Sequence, residues 1–370
     1  MSYLGSVSDK NEVRKIQFTG RSTYILSLPK RWMKEMHLNA GDLVTIVREP
    51  NNSLSIIPNA KRRPDSANDV TAIVLQNESG SSLKRKVVSM YLAGYTIMHL
   101  KSKTGRISPS QRDSVREVVR RNLVGTEIIA DGSDLITIQV LLSVPELSVD
   151  SAVRRMFLIS TAMHTDAMTS LAELNHELAA TIIKSDDEVD RFSLYILRSL
   201  VIALEKKMLQ EIGLKGISDC LSYRVVVRSI ERVADHAAGI ANKCLKIDEQ
   251  IPKEVFQKID KMSRSSLFLL NDSVEAFLRR DYNLADKIVE KAEEVWTLEN
   301  EVTKMLERAK TSHNDQYQSI SLNMKLILED LRRTAEHASD IAESAMNETI
   351  GGVIEKTAAE SKAKSSIDVL

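Results

Sequence analysis

The sequence predicts a multidomain protein with a small N-terminal β unit, a middle α/β unit and an all-α C-terminal pair of three-helix bundles. Six of the seven prolines lie before residue 146, and only Pro252 follows them. Glycine is absent between Ile240 and Ile350. Because proline breaks helix interiors and glycine weakens them, the second half of the chain can form long helices and the first half cannot.

An internal repeat predicts that the helical region contains two similar bundles. A shift of 101 residues places Ile230–Ala237 on Leu331–Ala338, and a shift of 106 places Asp166 on Asp272. The third helix of each copy carries an apolar stripe whose spacing alternates between four and three residues, which is typical of an antiparallel bundle. The stripe residues are Val226, Ile230, Val233, Ala237, Ile240 and Cys244 in copy one, and Ile327, Leu331, Thr334, Ala338, Ile341 and Ala345 in copy two.

The helix and domain limits follow from the repeat and from the breaks around it. We expect helices at 150–174, 177–210 and 217–245 in copy one and at 253–280, 283–310 and 315–348 in copy two. The predicted domains are the β unit at 1–60, the α/β unit at 61–146, and bundles at 147–249 and 250–350. The tail at 351–370 is small and polar, so we expect it to be disordered.

The first half of the chain contains two small units. The β unit is predicted to hold a helix from Lys30 to Met36, a turn at 39–42, and short strands at 13–18, 24–28, 43–47 and 54–57. Four short strands bury too little apolar surface to be stable alone, so we expect this unit to complete its core as a homodimer. From Val70 to Leu142 the order reads strand, helix, strand, helix, strand, strand.

Composition excludes several classes of protein. The chain has 51 basic and 51 acidic residues, so any nucleic-acid surface must be local, and residues 1–60 hold 8 basic against 5 acidic side chains. Cys220 and Cys244 have no partners at metal-ligand spacing, which excludes a disulfide or zinc-finger scaffold. No apolar segment approaches the roughly 18 residues that a membrane span needs, so we expect a cytoplasmic protein without membrane insertion.

Two carboxylates on the third helix of copy one are candidate metal ligands. Glu231 and Asp235 are four residues apart and lie outside the apolar stripe, so they face solvent or a ligand. One interpretation is an exposed ladder of ion pairs with Arg228 and Arg232. The other is a divalent or trivalent cation held by oxygen ligands from two helices, with Asp190 as a third contributor. Spacing alone leaves both open.

A cluster of basic residues in the β unit is a candidate DNA contact. The candidates are Arg14, Lys15, Arg21, Lys30 and Arg31, and an ordinary solvated surface is the alternative interpretation.

Two further features bear on chemistry. His236 and His337 share one repeat position beside the stripe, and we expect them to be half-buried packing residues with one satisfied nitrogen. The nucleophile elbow and the phosphate-binding loop of known enzyme classes are both absent from the sequence, so we expect a protein that is not an enzyme.

The β unit carries a family resemblance. Arg14–Gly20, then Tyr24–Lys30, Gly41-Asp42 and Leu54–Pro58 together resemble the AbrB/SpoVT-type swapped-hairpin DNA-binding domain. The resemblance implies an intertwined homodimer whose hairpin arginines contact double-stranded DNA. Arg14, Lys15 and Arg21 fall where that motif carries basic residues.

The helical region carries a second resemblance. Ile230–Ala237 and Asp187–Arg191 are similar to segments of PhoU-type phosphate-uptake regulators, and the similarity covers residues 150–348. It implies two three-helix bundles with a Glu/Asp-x-x-x-Asp motif in each third helix and metal clusters on that surface. Glu231 and Asp235 match the first motif.

The second motif departs from the family pattern. Arg332 replaces the leading acid, Glu336 stands in for the aspartate, and Trp296 occupies the place of Asp190. Glu336 and Asp340 are therefore the candidates for a shifted metal site in copy two.

Together these resemblances imply a dimeric regulator of phosphate uptake that binds operator DNA and senses a metal, phosphate or a partner. A DNA-binding domain placed ahead of PhoU-type bundles resembles an archaeal arrangement. The cofactor would be a divalent or trivalent metal, with iron, zinc and magnesium not distinguished, and no organic cofactor is expected. The alternative is an adaptor that inhibits a phosphate ABC transporter or a signalling protein such as a sensor kinase without binding DNA. A metal-dependent enzyme that uses Glu231 and Asp235 is a third hypothesis.

Overall fold

A computed structural model describes residues 12–20, 22–48, 52–58, 68–103, 105–142, 147–310 and 315–367. The chain divides into two compact units, Met1–Ala67 and Asn68–Leu370. The α/β region and the helical region therefore belong to one unit, and the β unit forms the other. The finer limits predicted for individual domains stay predictions.

The β unit contains two antiparallel hairpins and one short helix. Its elements are β1 (Gln17–Thr19), β2 (Thr23–Ile25), α1 (Lys30–Glu35), β3 (Val44–Arg48) and β4 (Leu54–Pro58). β1 pairs with β2, and β3 pairs with β4. The predicted turn is present, because the amide of Asp42 donates to the carbonyl of Asn39 at 3.1 Å and Gly41 has a φ of +97°.

The first two strands are shorter than predicted. The sequence predicts strands at 13–18 and 24–28, but the ladder joins only three residues of each strand. Strand propensity alone does not pair a backbone, and the residues flanking this ladder have no neighbouring strand among the described residues of the chain.

The described apolar side chains of the β unit are largely exposed. Of the large apolar side chains described in this unit, only that of Leu38 is buried. The exposed set is Val13, Ile16, Phe18, Tyr24, Ile25, Leu26, Met36, Leu43, Val44, Ile46, Val47, Leu54 and Ile56. A single chain leaves too much apolar surface in water here, which supports the expectation of a homodimer.

The α/β region has the predicted element order. It consists of β5 (Asp69–Val74), α2 (Gly80–Leu92), β6 (Ile97–Ser102), α3 (Pro109–Asn122), β7 (Thr126–Asp131) and β8 (Leu135–Val140). The sheet order is β5-β6-β8-β7, with β5 parallel to β6 and the other pairs antiparallel. Serine side chains cap both helices: Ser79 accepts from the amide of Ser82, and Ser108 accepts from that of Gln111.

The helical region contains the two predicted bundles. Its helices are α4 (Val149–Glu173), α5 (His176–Lys206), α6 (Ile217–Cys244), α7 (Lys253–Arg279), α8 (Tyr282–Lys310) and α9 (Asp315–Ile367). Every residue of the two predicted stripes is at most 1% exposed. The second helix ends four residues earlier than predicted, because Lys207 adopts a left-handed conformation and the chain then forms a short 3-10 turn.

The same contacts recur in both copies of the repeat. The Ser160 hydroxyl donates to the carbonyl of Ile230 at 3.4 Å, and the equivalent Ser266 donates to that of Leu331 at 2.9 Å. Leu174 and Arg280 end the first helix of each copy with a left-handed residue. The repeat in sequence is therefore also a repeat in local structure.

The C-terminal segment differs from the prediction. The sequence predicts a disordered tail at 351–370, but α9 continues through Gly351 and Gly352 to Ile367. Each glycine costs a helix only about 1 kcal/mol. The residues that follow are rich in alanine, glutamate and lysine, which are strong helix formers, so propensity outweighs the two glycines.

The α/β region is attached to α5 by a buried arginine. Arg198 is 5% exposed, and its guanidinium donates to the carbonyl of Tyr91 and, at 3.2 Å, to that of Gly94. These carbonyls lie at the C-terminal end of α2, where the helix dipole is negative. The guanidinium also lies 4.7 Å from the centroid of the Tyr91 ring. A side chain of α5 thus caps a helix of the α/β region.

A buried histidine links the two bundles. His164 of α4 is fully buried, and its Nε2 lies 2.9 Å from the hydroxyl of Ser263 on α7. Its Nδ1 has no hydrogen-bond partner among the described residues. Burial lowers the pKa of His164 to about 4, so the imidazole is neutral at physiological pH. The equivalent residue of copy two is the apolar Leu270.

We predict that His164 weakens the fold in acid. An unfolded imidazole titrates near 6.5, and the pKa of the folded one is depressed, so stability present above pH 6.5 is lost as pH falls toward 4. The full loss is about 3 kcal/mol at 1.36 kcal/mol per pH unit. His164→Leu, which copies Leu270, should flatten this dependence in urea unfolding followed by circular dichroism.

The matched control is His176→Gln, because the Nε2 of the partly buried His176 contacts the carbonyl of Ile247 at 3.2 Å. This control should keep the acid dependence of the wild type. An unchanged slope between pH 6.5 and 4 in His164→Leu would contradict the assignment.

Candidate functional site

Four carboxylates gather on neighbouring faces of α5 and α6. They are Asp186, Asp190, Glu231 and Asp235, named here the acidic cluster. Glu231 and Asp235 lie outside the buried stripe as predicted, with side chains 14% and 34% exposed. Burial and the neighbouring carboxylates raise the pKa of Asp186 to about 7 and that of Asp190 to about 6. Two of these carboxyl groups are therefore partly protonated near neutral pH.

Arginines hold the other two carboxylates of the cluster. Arg228 forms an ion pair with Glu231, and Arg232 pairs with Asp235 at 3.0 Å. This is the ladder that the sequence left as one of two interpretations. Across the described ranges no three histidine, cysteine or carboxylate side chains converge closely enough to hold a metal ion. The assignment of a metal to Glu231, Asp235 and Asp190 stays a prediction.

The donor chemistry of the acidic cluster nevertheless fits a hard cation. All four donors are carboxylates, which suit magnesium, calcium or ferric ions. One oxygen of Asp186, Oδ1, is buried without a hydrogen-bond partner in the described structure. Sequence reasoning missed Asp186, although its position four residues before Asp190 places both on one face of α5.

Copy two carries different groups at the positions of the acidic cluster. Arg332, at the position of Glu231, contacts Glu336 and lies 3.2 Å from Glu299. Arg333 also pairs with Glu336, at 2.9 Å. The other candidate ligand of copy two, Asp340, binds the Nδ1 of His337 at 3.2 Å. The structure thus gives Glu336 and Asp340 different partners, and Trp296 is 54% exposed.

The predicted DNA contacts in the β unit are exposed. Arg14, Lys15, Lys30 and Arg31 all face solvent. Arg14 and Arg31 share the carboxylate of Glu12, with Arg31 at 3.2 Å, so the structure brings these two guanidinium groups together. Arg21 lies outside the described residues. The assignment of these side chains to DNA stays a prediction.

The two repeated histidines have the predicted environment. The side chains of His236 and His337 are each 20% exposed, and their Nδ1 atoms contact Asp330 and Asp340. Their rings stack with centroids 5.6 Å apart. The interpretation as half-buried residues with one satisfied nitrogen is therefore confirmed.

A cleft of about 810 Å³ lies beside these groups. Asp190 and Glu231 of copy one line it together with His337 and Asp340 of copy two. Apolar side chains, among them Leu221, form another part of its lining. The cleft therefore brings charged groups of both copies to one surface.

Comparison with known proteins agrees with the repeat. Residues 153–244 and 259–345 each match the PhoU domain family. The two bundles are PhoU domains. Residues 17–64 match the family described as antidote-toxin recognition MazE, bacterial antitoxin, so an antitoxin-like domain of the AbrB and MazE kind precedes the PhoU domains.

The chain is similar to two curated relatives. It is 27% identical over 197 residues to the phosphate-specific transport system accessory protein PhoU homolog 1 of Thermotoga maritima, covering 51% of this chain and 80% of the relative. It is also 29% identical over 140 residues to the phosphate-specific transport system accessory protein PhoU homolog of Aquifex aeolicus. That match covers 38% of this chain and 62% of the relative.

A solved structure shares the fold. The crystal structure of PhoU from Pseudomonas aeruginosa aligns with a TM-score of 0.50 at 21% identity, covering 55% of this chain and 96% of that one. At this identity the likeness concerns the fold alone. No helix within the described residues of the chain is long and apolar enough to cross a membrane.

We predict that the acidic cluster makes the helical region less stable as pH rises. An unfolded aspartate titrates near 3.8, whereas folding raises the pKa of Asp186 to about 7 and of Asp190 to about 6. Stability is therefore full only below about pH 3.8, and it is lost progressively as pH rises from there through the folded values. Asp186→Asn/Asp190→Asn should raise the free energy of unfolding at pH 8 by about 1–2 kcal/mol.

Urea unfolding at pH 5 and pH 8 measures this effect. Asp248→Asn is the matched control, because Asp248 is an exposed aspartate outside the cluster, and it should behave as the wild type does. Equal stability of the double variant and the wild type at pH 8 would show that the cluster carries no repulsion.

Proposed function

We propose that this protein is a dimeric DNA-binding regulator of phosphate uptake and phosphate homeostasis rather than an enzyme. The antitoxin-like unit binds operator DNA, and the PhoU domains respond to a cation or to a partner protein. The presence of both domain types in one chain is the observation that carries this proposal. The names of the relatives connect PhoU domains with phosphate-specific transport, which supplies the physiological context.

The surface of the β unit supports its role in DNA binding. Its apolar side chains are exposed in one chain, so a second copy would cover them and complete the core. Dimerisation doubles the number of arginines and lysines that can face a phosphate backbone. Arg14 and Arg31 already lie at one carboxylate, so a phosphate group can replace Glu12 as their shared partner.

We predict that Arg14→Gln/Arg31→Gln weakens DNA binding by at least about tenfold at physiological salt, because each phosphate left without its guanidinium partner keeps its counterions. The full-length chain is incubated with sheared genomic DNA, the bound fragments are sequenced, and affinity for the most enriched fragment is measured by fluorescence anisotropy. The logarithm of affinity should fall less steeply with the logarithm of salt in the variant, by about 0.9 for each phosphate that is no longer neutralised.

Lys258→Gln provides the control, because Lys258 is an exposed basic residue on α7 that pairs with Glu301 at 2.9 Å. It should leave both affinity and salt dependence unchanged. If the wild type enriched no fragment over bulk DNA, the role in transcription regulation would be abandoned.

The acidic cluster is the proposed sensing element for a divalent or trivalent cation. A cation there would have to draw Asp186, Asp190, Glu231 and Asp235 together, since no three of them converge in the described structure, and it would relieve the repulsion that raises two of their pKa values. It must compete with Arg228 and Arg232 for two of the carboxylates. Glu336 of copy two is a poorer candidate, because two arginines, Arg332 and Arg333, pair with it. Asp340 of copy two contacts the Nδ1 of His337.

We predict that Glu231→Gln/Asp235→Asn abolishes binding of Mg²⁺ or Fe³⁺ to the metal-free chain, measured by elemental analysis after equilibrium dialysis. Glu299→Gln/Glu336→Gln is the control in copy two and should leave the bound metal unchanged, since Arg332 already neutralises that pair. Equal metal content in the wild type and the first variant would remove the cation from the proposal.

The second candidate function is an adaptor that contacts a phosphate ABC transporter or a sensor kinase without binding DNA. The exposed apolar side chains of Leu221 and Val225 beside the acidic cluster favour it, because such a surface suits a protein partner. A partner captured equally well by the wild type and by Arg14→Gln/Arg31→Gln, with no DNA binding by either, would support this function. The cytoplasmic location stays a prediction.

A further inference from the structure

We propose that a cleft of the α/β region binds the phosphate group of a small molecule. The cleft has a volume of about 490 Å³ and is named here the arginine cleft, because its lining includes Arg106, Arg112 and Arg116 together with Gln76 and Ser133. These residues lie outside the ranges that match the antitoxin and PhoU families. The site goes beyond the proposed function, which assigns DNA to the β unit and a cation or a partner to the PhoU domains.

The arginine cleft lies at one edge of the sheet. β5 is parallel to β6, and β8 is antiparallel to both β6 and β7, so β5, β6 and β7 run in the same direction. Gln76 follows β5, Arg106 follows β6 and Ser133 follows β7. The C-terminal ends of three parallel strands therefore supply the lining. In α/β proteins this edge of the sheet is where ligands usually bind.

Hydrogen bonds join the segments that form the arginine cleft. The amide of Ile107 donates to the carbonyl of Ser133 at 2.8 Å, which ties the segment after β6 to the turn between β7 and β8. The Nε2 of the buried Gln111 donates to the carbonyls of Leu75 and Glu78, at 3.0 and 2.9 Å. This side chain ties the start of α3 to the segment after β5. The walls of the cleft are therefore held in place without a ligand, which lowers the cost of binding one.

One carboxylate orients two of the arginines. Arg112 lies 2.7 Å from Oδ1 of Asp131, and Arg116 lies 2.6 Å from Oδ2 of the same residue. Arg116 also pairs with Asp113, at 3.1 Å. Within the described residues, the polar contacts of Arg112 all use its Nη2 atom, so its Nε and Nη1 atoms can donate to a ligand. Asp131 thus holds both guanidinium groups in position and leaves donors of Arg112 available.

Arg106 adds a positive charge that no carboxylate neutralises. Its backbone is anchored, because its carbonyl oxygen accepts from the hydroxyl of Ser102 at 3.0 Å. Its side chain is exposed, and in the part of the chain that the structure describes its guanidinium forms no hydrogen bond or ion pair. Asp113 and Asp131 pair with the other two arginines instead. An anion can therefore pair with Arg106 without displacing a carboxylate.

The donors and the volume of the cleft indicate the ligand. The planar guanidinium group matches the oxygens of a phosphate group, which it binds through two parallel hydrogen bonds. A phosphate ester carries close to two negative charges at pH 7, so more than one arginine can contact it. The volume lies in the range of about 300–1,000 Å³ that small-molecule sites occupy, and it is larger than a phosphate ion needs. We therefore expect the organic part of an ester to fill the remaining space.

Calorimetric titration of the full-length chain at physiological salt tests the proposal, with AMP, glucose 6-phosphate and inorganic phosphate as probes. At least one probe should saturate one site per chain with a Kd of about 1 mM or less. An ester that binds more tightly than inorganic phosphate identifies an esterified ligand, and inorganic phosphate that binds as tightly as the esters identifies the free ion.

Two single variants locate the site. Arg106→Gln should weaken binding by about tenfold, because it removes a charged hydrogen bond to the ligand. This variant breaks no described side-chain contact, so the fold is expected to be unchanged. Arg120→Gln is the matched control, because Arg120 is an exposed arginine of α3 that does not line the cleft. It should bind the probes as the wild type does.

The variant Arg14→Gln/Arg31→Gln separates this site from the proposed function, and it should bind the probes as the wild type does. Saturation by none of the probes, equal affinity of Arg106→Gln and the wild type, or a loss confined to the Arg14 and Arg31 variant overturns the arginine cleft and leaves the proposed function standing. If Arg106→Gln weakened DNA binding while no probe bound, these arginines would belong to the DNA-binding surface, and the assignment to a small molecule would also be overturned.

Discussion

The packing of α6 against α9 determines where the candidate groups of the PhoU domains lie. Each of these helices buries its stripe in its own bundle, so only the positions beside the stripe are left for contact between copies. His236 and His337 occupy those positions and therefore meet. Gly239 allows the approach, because a Cβ atom there would lie 3.1 Å from Oδ2 of Asp330. A larger residue would push this carboxylate away from its partners.

The two copies share a backbone but differ in charge. In copy one, four carboxylates meet two arginines, and the repulsion that remains appears in the raised pKa values of Asp186 and Asp190. In copy two, Arg332 stands at the position of Glu231 and supplies a positive charge there. Ala292 stands at the position of Asp186. The same scaffold therefore supports one copy in which repulsion between carboxylates remains and one in which arginine neutralises it. A few substitutions are enough to produce this difference in charge between the copies. In a partly buried site, each carboxylate strongly shifts the pKa of its neighbours.

Much of the fold could be predicted from sequence, since local rules decide it. The alternation of four and three residues determines which face of α6 is buried, and the serine caps mark where α2 and α3 begin. The prediction for the tail is wrong because it weighs two glycines more heavily than the helix formers that follow them. At the site, spacing along one helix identified Glu231 and Asp235. It could not identify Asp330 or Arg198, whose partners lie on other elements at positions that only tertiary structure brings together.

The helix α5 connects the acidic cluster with the α/β region. Asp186 and Arg198 are twelve residues apart on it, which is about 18 Å along a helix. Arg198 is buried with two carbonyl oxygens of the α2 terminus as its acceptors, so it cannot slide relative to α2 without leaving a charge unpaired. Protonation of Asp186 changes the repulsion between α5 and α6 at the other end of this segment. The buried contacts of Arg198 therefore join the helix that carries Asp186 and Asp190 directly to the α/β region.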